Sequence, residues 1–501
     1  MAAMATTTDL AGIGFQPDAA SAEPIYQQLA AALSNAIRAG RIAVGARLPS
    51  ERLYAQALKL SRTTVTAAYQ ELQALGLLRG YVGRGAIVIA NDPDRSAAEA
   101  IPWSQLASRF ARRYRSTGMG NTSGLISFGD GWLHPSLTPR AALAESAARI
   151  VHASDALTKA APLLGLPALH DALMDTLRSN GMKVTPGEIL ITGGAQQGLN
   201  VIARALISAG DTVLCESPTW HGAIRAFRAA GADVVGVAMD HEGVDPDALE
   251  DSLARLRPKF IYLIPTFQCP TGRLMGLQRR RRILEICSRF RTPIIESHVY
   301  GDLGFGEKLP ALKSLDSTGL VIHQGSASKT ISAALRLGWV IGPRPAMDLF
   351  ATAKASLDLS TPALTQAVLA DFLGGDAYLR HQSRLREALR TRRDALIAAL
   401  AAHCPELRYA IPHGGLYIWA QLPRPVSAQE AETAAAAEGV SIRAGNSFLI
   451  DEAASSHIRL CFAAPAFEEI DTGAQRLGKA LRGVLKRHRG PVAAGAGLAS
   501  V

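Results

Sequence analysis

The sequence predicts a multi-domain protein. A small N-terminal module of three helices and a hairpin precedes a large α/β domain with a mostly parallel sheet, and a small α+β domain closes the chain. Three observations carry that prediction. The chain has 501 residues, more than one hydrophobic core ordinarily serves. Residues 25–75 hold three short runs of helical apolar spacing, each opened by a proline or serine suited to a helix start. From about Ile126, short apolar runs alternate with helical patterns, as βαβ units require.

Composition narrows the function classes. Hydrophobic residues make up 48% and charged residues 19%, which fits a chain with a large core. The net charge of +10 brings nucleic acid or another anionic partner into consideration. Five cysteines are widely spaced and form no Cys-x-x-Cys pair, so free thiols in a reducing cytoplasm are expected and a metal site is not. No apolar run reaches the roughly 18 residues of a membrane span, and the N-terminus has no secretion pattern.

Residues 1–22 are small and polar and read as a disordered leader. A first helix opens at Pro24, with Ile25, Leu29, Leu33 and Ile37 on one face and Gly40 at its end. Ser50 caps a second helix, Glu51 to Leu58, and Ser61 a third, Arg62 to Leu75. The third has Val65, Ala68, Tyr69, Leu72 and Leu75 as its apolar stripe and Gly76 as its C-cap. Two strands follow, Leu77 to Tyr81 and Ala86 to Ile89, around a Gly-rich tip carrying Arg84. Arg62, Thr63 and Thr64 open the third helix away from its apolar stripe, where they suit major-groove bases and phosphates.

The runs Leu48-Pro49-Ser50-Glu51-Arg52 and Ser61-Arg62-Thr63-Thr64-Val65, with Tyr69, Leu72 and Gly76-Leu77, resemble the winged helix-turn-helix of GntR-type regulators. The resemblance implies DNA contacts at Arg52, Arg62, Thr63, Thr64 and the wing tip, Arg84, within a DNA-binding domain spanning 23–90. Residues 91–125 read as a linker; inside it Gln105 to Arg115 has the pattern of a short basic helix, either solvated or tracking DNA.

The large domain is expected over 126–345 and the small one over 346–487, before a disordered tail, 488–501. Strand-like Ile189 to Thr192 leads through Gly193-Gly194-Ala195-Gln196-Gln197 into a helix from Gly198 to Ile207, a turn that presents backbone N–H groups to an anion. Trp220 follows the strand Thr212 to Glu216, and Tyr300 follows Pro293 to Glu296. The stretch from Gly325 to Gly338 places Lys329 in a loop after the apolar run Leu320 to Ile322. Small neighbours leave room for a carbonyl cofactor at that lysine, and Ser326, Ser328 and Arg336 suit a phosphate. A Ser-Lys pair alone reads better as a solvated loop. Here, however, the candidate residues all fall at the C-terminal ends of strands, where such sheets gather function.

This portion resembles the fold-type I aminotransferases that depend on pyridoxal 5'-phosphate, and with its GntR-like head the whole chain resembles the MocR family of transcription regulators. The resemblance implies Lys329 as the Schiff-base lysine. It puts Gly194, Ala195, Gln196, Ser326, Ser328 and Arg336 at the phosphate, Trp220 on the ring, Tyr300 at the ring hydroxyl and Arg459 at a substrate carboxylate. Two departures stand out. Cys269 replaces an asparagine, and Glu296-Ser297-His298 replaces the usual Glu-Asp-Asp, one aspartate of which keeps the ring nitrogen protonated. Neither Ser297 nor a neutral His298 supplies that charge, which leaves Glu296 or another residue to compensate. The expected protein is a cytoplasmic homodimeric regulator that binds an operator in double-stranded DNA and senses a small amino compound or a cofactor vitamer. The rivals are a working aminotransferase with an accessory DNA tether and a regulator that binds no cofactor.

Overall fold

A computed structural model describes residues 15–18, 21, 23–39, 41–81, 85–89, 107–108, 111, 124–153, 158–451 and 453–488. The chain divides into two compact units, one ending at Arg115 and the other beginning at Ser116. In the first, α1 (Ile25–Arg38) buries Leu29, Leu33 and Ile37, while Ile25 is half-buried. The α2 helix (Glu51–Leu58) starts where the Ser50 side chain accepts from the Leu53 N–H, and it stops where Lys59 turns left-handed. The Ser61 side chain caps α3 (Arg62–Ala74) by accepting from the Thr64 N–H. Val65, Ala68, Tyr69 and Leu72 are buried as the stripe predicts. Leu75, expected on that stripe, is 49% exposed; it is the C-cap residue, just past the last helical residue, Ala74. The Tyr69 hydroxyl donates to the Pro49 carbonyl at 3.0 Å, tying α3 to the turn before α2.

Strands β1 (Leu78–Tyr81) and β2 (Gly85–Val88) pair antiparallel, with Leu78 opposite Val88. Gly40, the wing-tip residue Arg84, most of the linker with its basic stretch, most of the leader, and residues 489–501 lie outside the described residues.

The second unit is built on a seven-stranded sheet. Its strands are β3 (Ile189–Thr192), β4 (Thr212–Glu216), β5 (Asp233–Val237), β6 (Ile261–Leu263), β7 (Ile294–Ser297), β8 (Val321–Ser326) and β9 (Gly338–Ile341). They lie in the order β3-β9-β8-β7-β6-β4-β5. All pairings are parallel except those of β9, which runs antiparallel to both β8 and β3. Most of these strands are buried on both faces, which is why they read as unbroken apolar runs.

Two boundaries differ from expectation. Helix α4 (Ala195–Leu206) begins three residues earlier than its apolar periodicity indicates, because Gly194, at φ 98°, completes the turn by itself. Strand β8 runs on to Ser326, past the apolar run, because its polar residues find partners. His323 Nδ1 pairs with Glu296, and the Gln324 amide donates to the Ala195 carbonyl.

The C-terminal part carries the long helix α5 (Asp376–His403) and a four-stranded antiparallel sheet. That sheet is ordered β10 (Arg408–Tyr409), β11 (Tyr417–Gln421), β13 (His457–Cys461), β12 (Arg443–Ala444). The final helix α6 (Ile470–His488) lies along α5. Among the described residues, no helix is long and apolar enough to cross a membrane.

Candidate functional site

A cavity of about 260 Å³ opens where β4, β7 and β8 end, walled on one side by the small sheet. Lys329, Ser326, Ser328, Arg336, Ala195, Gln196, Trp220, Tyr300 and Arg459 all line it. Gly194 stands just behind: a Cβ there would meet Arg336 Nη2 at 2.7 Å, so the glycine admits the guanidinium. Arg336 also donates to the Gly193 carbonyl at 3.1 Å. Ala195 and Gln196 form the first turn of α4 rather than a loop.

Lys329 is half-buried, and its Nζ donates to the Gly131 carbonyl at 2.7 Å over the ring of Trp132. Burial pushes its ammonium down from 10.5 to about 8; Cys269 and Cys461 oppose that shift, while the positive charges of Arg459 and Arg336 reinforce it. Across the cavity the Tyr300 and Tyr417 hydroxyls lie 3.2 Å apart. The Arg459 guanidinium rests over the Tyr417 and Phe448 rings, at 4.3 and 5.1 Å. It contacts the Gly129 carbonyl at 2.5 Å, yet its buried Nε has no partner, and no ion pair reaches it among the described residues. Trp220 caps the helix His221–Ala229, and Gly222 leaves room for its ring, since a Cβ there would come within 2.4 Å of it.

The strand carrying Ser297 decides what the departure at 296–298 means. Side chains alternate along β7, so Ser297 lines the cavity and Glu296 faces the other way. There the Glu296 carboxylate accepts from the N–H groups of Leu312 and Lys313, at 2.7 and 3.1 Å, and pairs with His323 at 3.0 Å. Burial alone would push its carboxyl up, but His323, His298 and Arg280 outweigh that and hold it at about 2. Glu296 is therefore a fixed charge committed to the far side of the sheet. His298 is half-buried behind it, its buried Nδ1 without a hydrogen-bond partner, and desolvation holds it neutral, with a pKa of about 4. Neither residue compensates at the cavity.

Comparison with known proteins gives this arrangement a family. The profile for aminotransferase class I and II matches residues 126–477, and that for bacterial regulatory proteins of the gntR family matches residues 25–88. The HTH-type transcriptional regulator YdfD of Bacillus subtilis is 31% identical over 93% of this chain and 98% of its own length. The chain belongs to the MocR-type regulators. The probable rhizopine catabolism regulatory protein MocR of Rhizobium meliloti is 29% identical over 83% of this chain and 86% of its own. The solved α-aminoadipate aminotransferase LysN of Thermus thermophilus, complexed with N-(5'-phosphopyridoxyl)-L-leucine, is 34% identical with a TM-score of 0.73. It covers 77% of this chain and 100% of its own.

The aminotransferase match implies pyridoxal 5'-phosphate as the cofactor, and the gntR-family match makes the head a DNA-binding module. The residues present fit the cofactor: a primary amine of lowered basicity, a guanidinium admitted by a glycine, two buried serines and a helix N-terminus meet in one cavity. Several lining residues of this MocR-type regulator escaped the sequence reading: Gly131, Trp132, His221, Tyr262, Tyr417 and Arg443. For Gly131 and Trp132, the Gly129-Asp130-Gly131-Trp132 run after a short strand was the available signal. Arg443 had none.

In the head, Arg52, Arg62 and Thr63 are exposed and Thr64 is half-buried. The hydroxyls of Thr63 and Thr64 lie 2.8 and 2.7 Å from the Ser61 hydroxyl, and the Thr66 hydroxyl donates to Glu51 at 2.8 Å. Arg62 reaches Glu51 only at 3.9 Å and keeps 72% of its side chain open.

Proposed function

We propose that this regulator holds pyridoxal 5'-phosphate at Lys329, senses a small amino compound there, and transmits occupancy to DNA-binding heads paired in a homodimer. One observation carries the reading. The cavity combines a lysine of lowered basicity with an arginine that has no counter-ion among the described residues, while the strand face beneath offers Ser297 where an efficient electron sink needs a carboxylate.

Bound at Lys329, the cofactor supplies a carbonyl carbon that accepts amines and a ring that withdraws electrons from them. Every other role falls to the chain. Lys329, with a larger neutral fraction near pH 7 than free lysine, would hold the cofactor through its Nζ, the atom that can also carry a proton. Arg336, Ser326, Ser328 and the start of α4 would hold the phosphate, and Trp220 and Tyr300 would hold the ring and its hydroxyl. Arg459 takes the carboxylate of an incoming amino acid, and the aromatic rings of Tyr417 and Phe448 keep its guanidinium oriented. Ser297 leaves the ring nitrogen without a charged partner, which favours binding over turnover. Lys329 follows a strand of the large sheet and Arg459 sits on the small one, so one ligand spanning both draws the two sheets together. In the homodimer that movement resets the spacing of two heads, whose Arg62 and Thr63 meet the operator. Buried free cysteines fit a cytoplasmic setting.

The rival reading, an aminotransferase with a DNA tether, draws on the lowered basicity of Lys329. The test uses the purified full-length chain. Visible absorbance that disappears in Lys329→Ala, and that amino acids shift without sustained conversion to the pyridoxamine form, supports the sensor. Rapid full conversion supports the enzyme, and absorbance unaffected by Lys329→Ala removes both.

A further inference from the structure

The cofactor cavity has one arginine that neither the cofactor phosphate nor an α-carboxylate engages. Lys329, Arg336, Arg443 and Arg459 line it, and Asp130 is the one carboxylate among the described lining residues. Arg336 belongs with the phosphate and Arg459 with the α-carboxylate, which leaves Arg443 unassigned.

The position of Arg443 is informative. It lies directly opposite Arg459 in the antiparallel pairing of β12 with β13. Opposed residues of such a pair project from the same face about 4.5–5.5 Å apart at Cβ, and like charges so placed repel. An ion pair relieves the repulsion only in part. The Glu432 carboxylate approaches Arg443 only to 3.8 Å, beyond hydrogen-bond range, and the Arg443 side chain remains 43% exposed at the cavity mouth. On the facing wall His221 stands edge-on to Phe448, and its buried Nδ1 has no hydrogen-bond partner. Burial, then the charges of Arg225, Arg459, Arg443 and Lys329, drive its imidazole down to about 3, so it stays neutral with an N–H to donate. A cation at the mouth, a neutral donor on the wall and a second cation at the α-carboxylate form an arrangement for two anionic groups on one molecule.

We propose that Arg443, assisted by His221, is a distal anion subsite, and that the effector is an amino acid whose side chain ends in a second carboxylate. The assignment rests on the reading of this cavity as an amino-acid sensor. An unaccompanied α-carboxylate engages Arg459 and leaves Arg443 with only the distant Glu432 carboxylate, whereas a dicarboxylic ligand engages both arginines.

The test measures binding by isothermal titration calorimetry on the cofactor-loaded full-length protein at fixed salt. L-glutamate is compared with L-glutamine, and L-2-aminoadipate with L-norleucine. At least one acidic probe is expected to bind about tenfold or more tightly than its neutral counterpart, as a charge-assisted contact implies. In Arg443→Gln that ratio falls to within about twofold of one, while Arg443→Lys retains part of it. Cofactor absorbance and the thermal midpoint of each variant report whether it has folded. Equal binding of acidic and neutral probes overturns the distal subsite and leaves the sensor reading standing. A preference that survives in folded Arg443→Gln also overturns it. Absence of binding by all four amino acids overturns both.

Discussion

If burial and neighbouring arginines lower the basicity of Lys329, its reactivity must rise with pH well before that of an ordinary lysine. A pKa of about 8 leaves roughly one amine in ten neutral at pH 7, against about one in three thousand at 10.5, a difference of roughly 300-fold. The assay follows uptake of pyridoxal 5'-phosphate by the unloaded protein through its visible absorbance, from pH 6 to 11. Nα-acetyl-lysine treated identically removes the reagent's own titration, and borohydride trapping with peptide mapping assigns the signal to Lys329. The normalised rate should reach half its plateau near pH 8. The sign of the linked stability effect is fixed by the same shift. The unfolded chain holds this proton more tightly between about 8 and 10.5, so the unloaded protein gains stability as pH rises across that window. Below about 8 both states are protonated, and Lys329 adds no slope. A rate profile that parallels free lysine up to pH 10 or beyond would refute the electrostatic reasoning.

Four further outcomes are expected. Ser297→Asp puts a carboxylate on the cavity face of β7 and should raise single-turnover conversion of a bound amino acid to its keto acid by about tenfold or more, read as pyridoxamine-form absorbance; an unchanged rate would remove Ser297 from the account. Gly194→Ala forces a side chain into a conformation near φ 98° and drives its Cβ against Arg336, so cofactor affinity measured by fluorescence quenching should fall about tenfold or more with the far-UV spectrum intact. Arg62→Ala should weaken operator binding in gel-shift titrations at fixed salt by about 1–3 kcal/mol, and unchanged affinity would remove the start of α3 from the DNA interface. Leu33→Ala empties a fully buried site in the head core and should destabilise it by about 2–5 kcal/mol in chemical denaturation, while the cofactor absorbance persists.

The head was legible in sequence because its determinants are local. Serine caps and a four-residue apolar repeat each act within a few residues, and the helix bounds at 51–58 match the expectation. Legibility failed where a polar residue was rescued from afar. His323 and Gln324 read as the end of a strand, yet β8 continues through them because Glu296 and the Ala195 carbonyl wait on either side. The helix start at Ala195 was misjudged because one glycine does the work assigned to a five-residue turn.

Alone, the sequence determined the succession of modules, the lysine at a strand end and the replacement of an aspartate by Ser297. Those features depend on residue type and short-range spacing. Only the tertiary structure decided that Glu296 is spent on the far side of the sheet, and that Tyr417, Arg459 and Arg443 come from a separate sheet to close the cavity over Lys329. Residues more than a hundred positions apart meet there through strand order and register, which arise when the whole core is buried and leave no local mark on the chain.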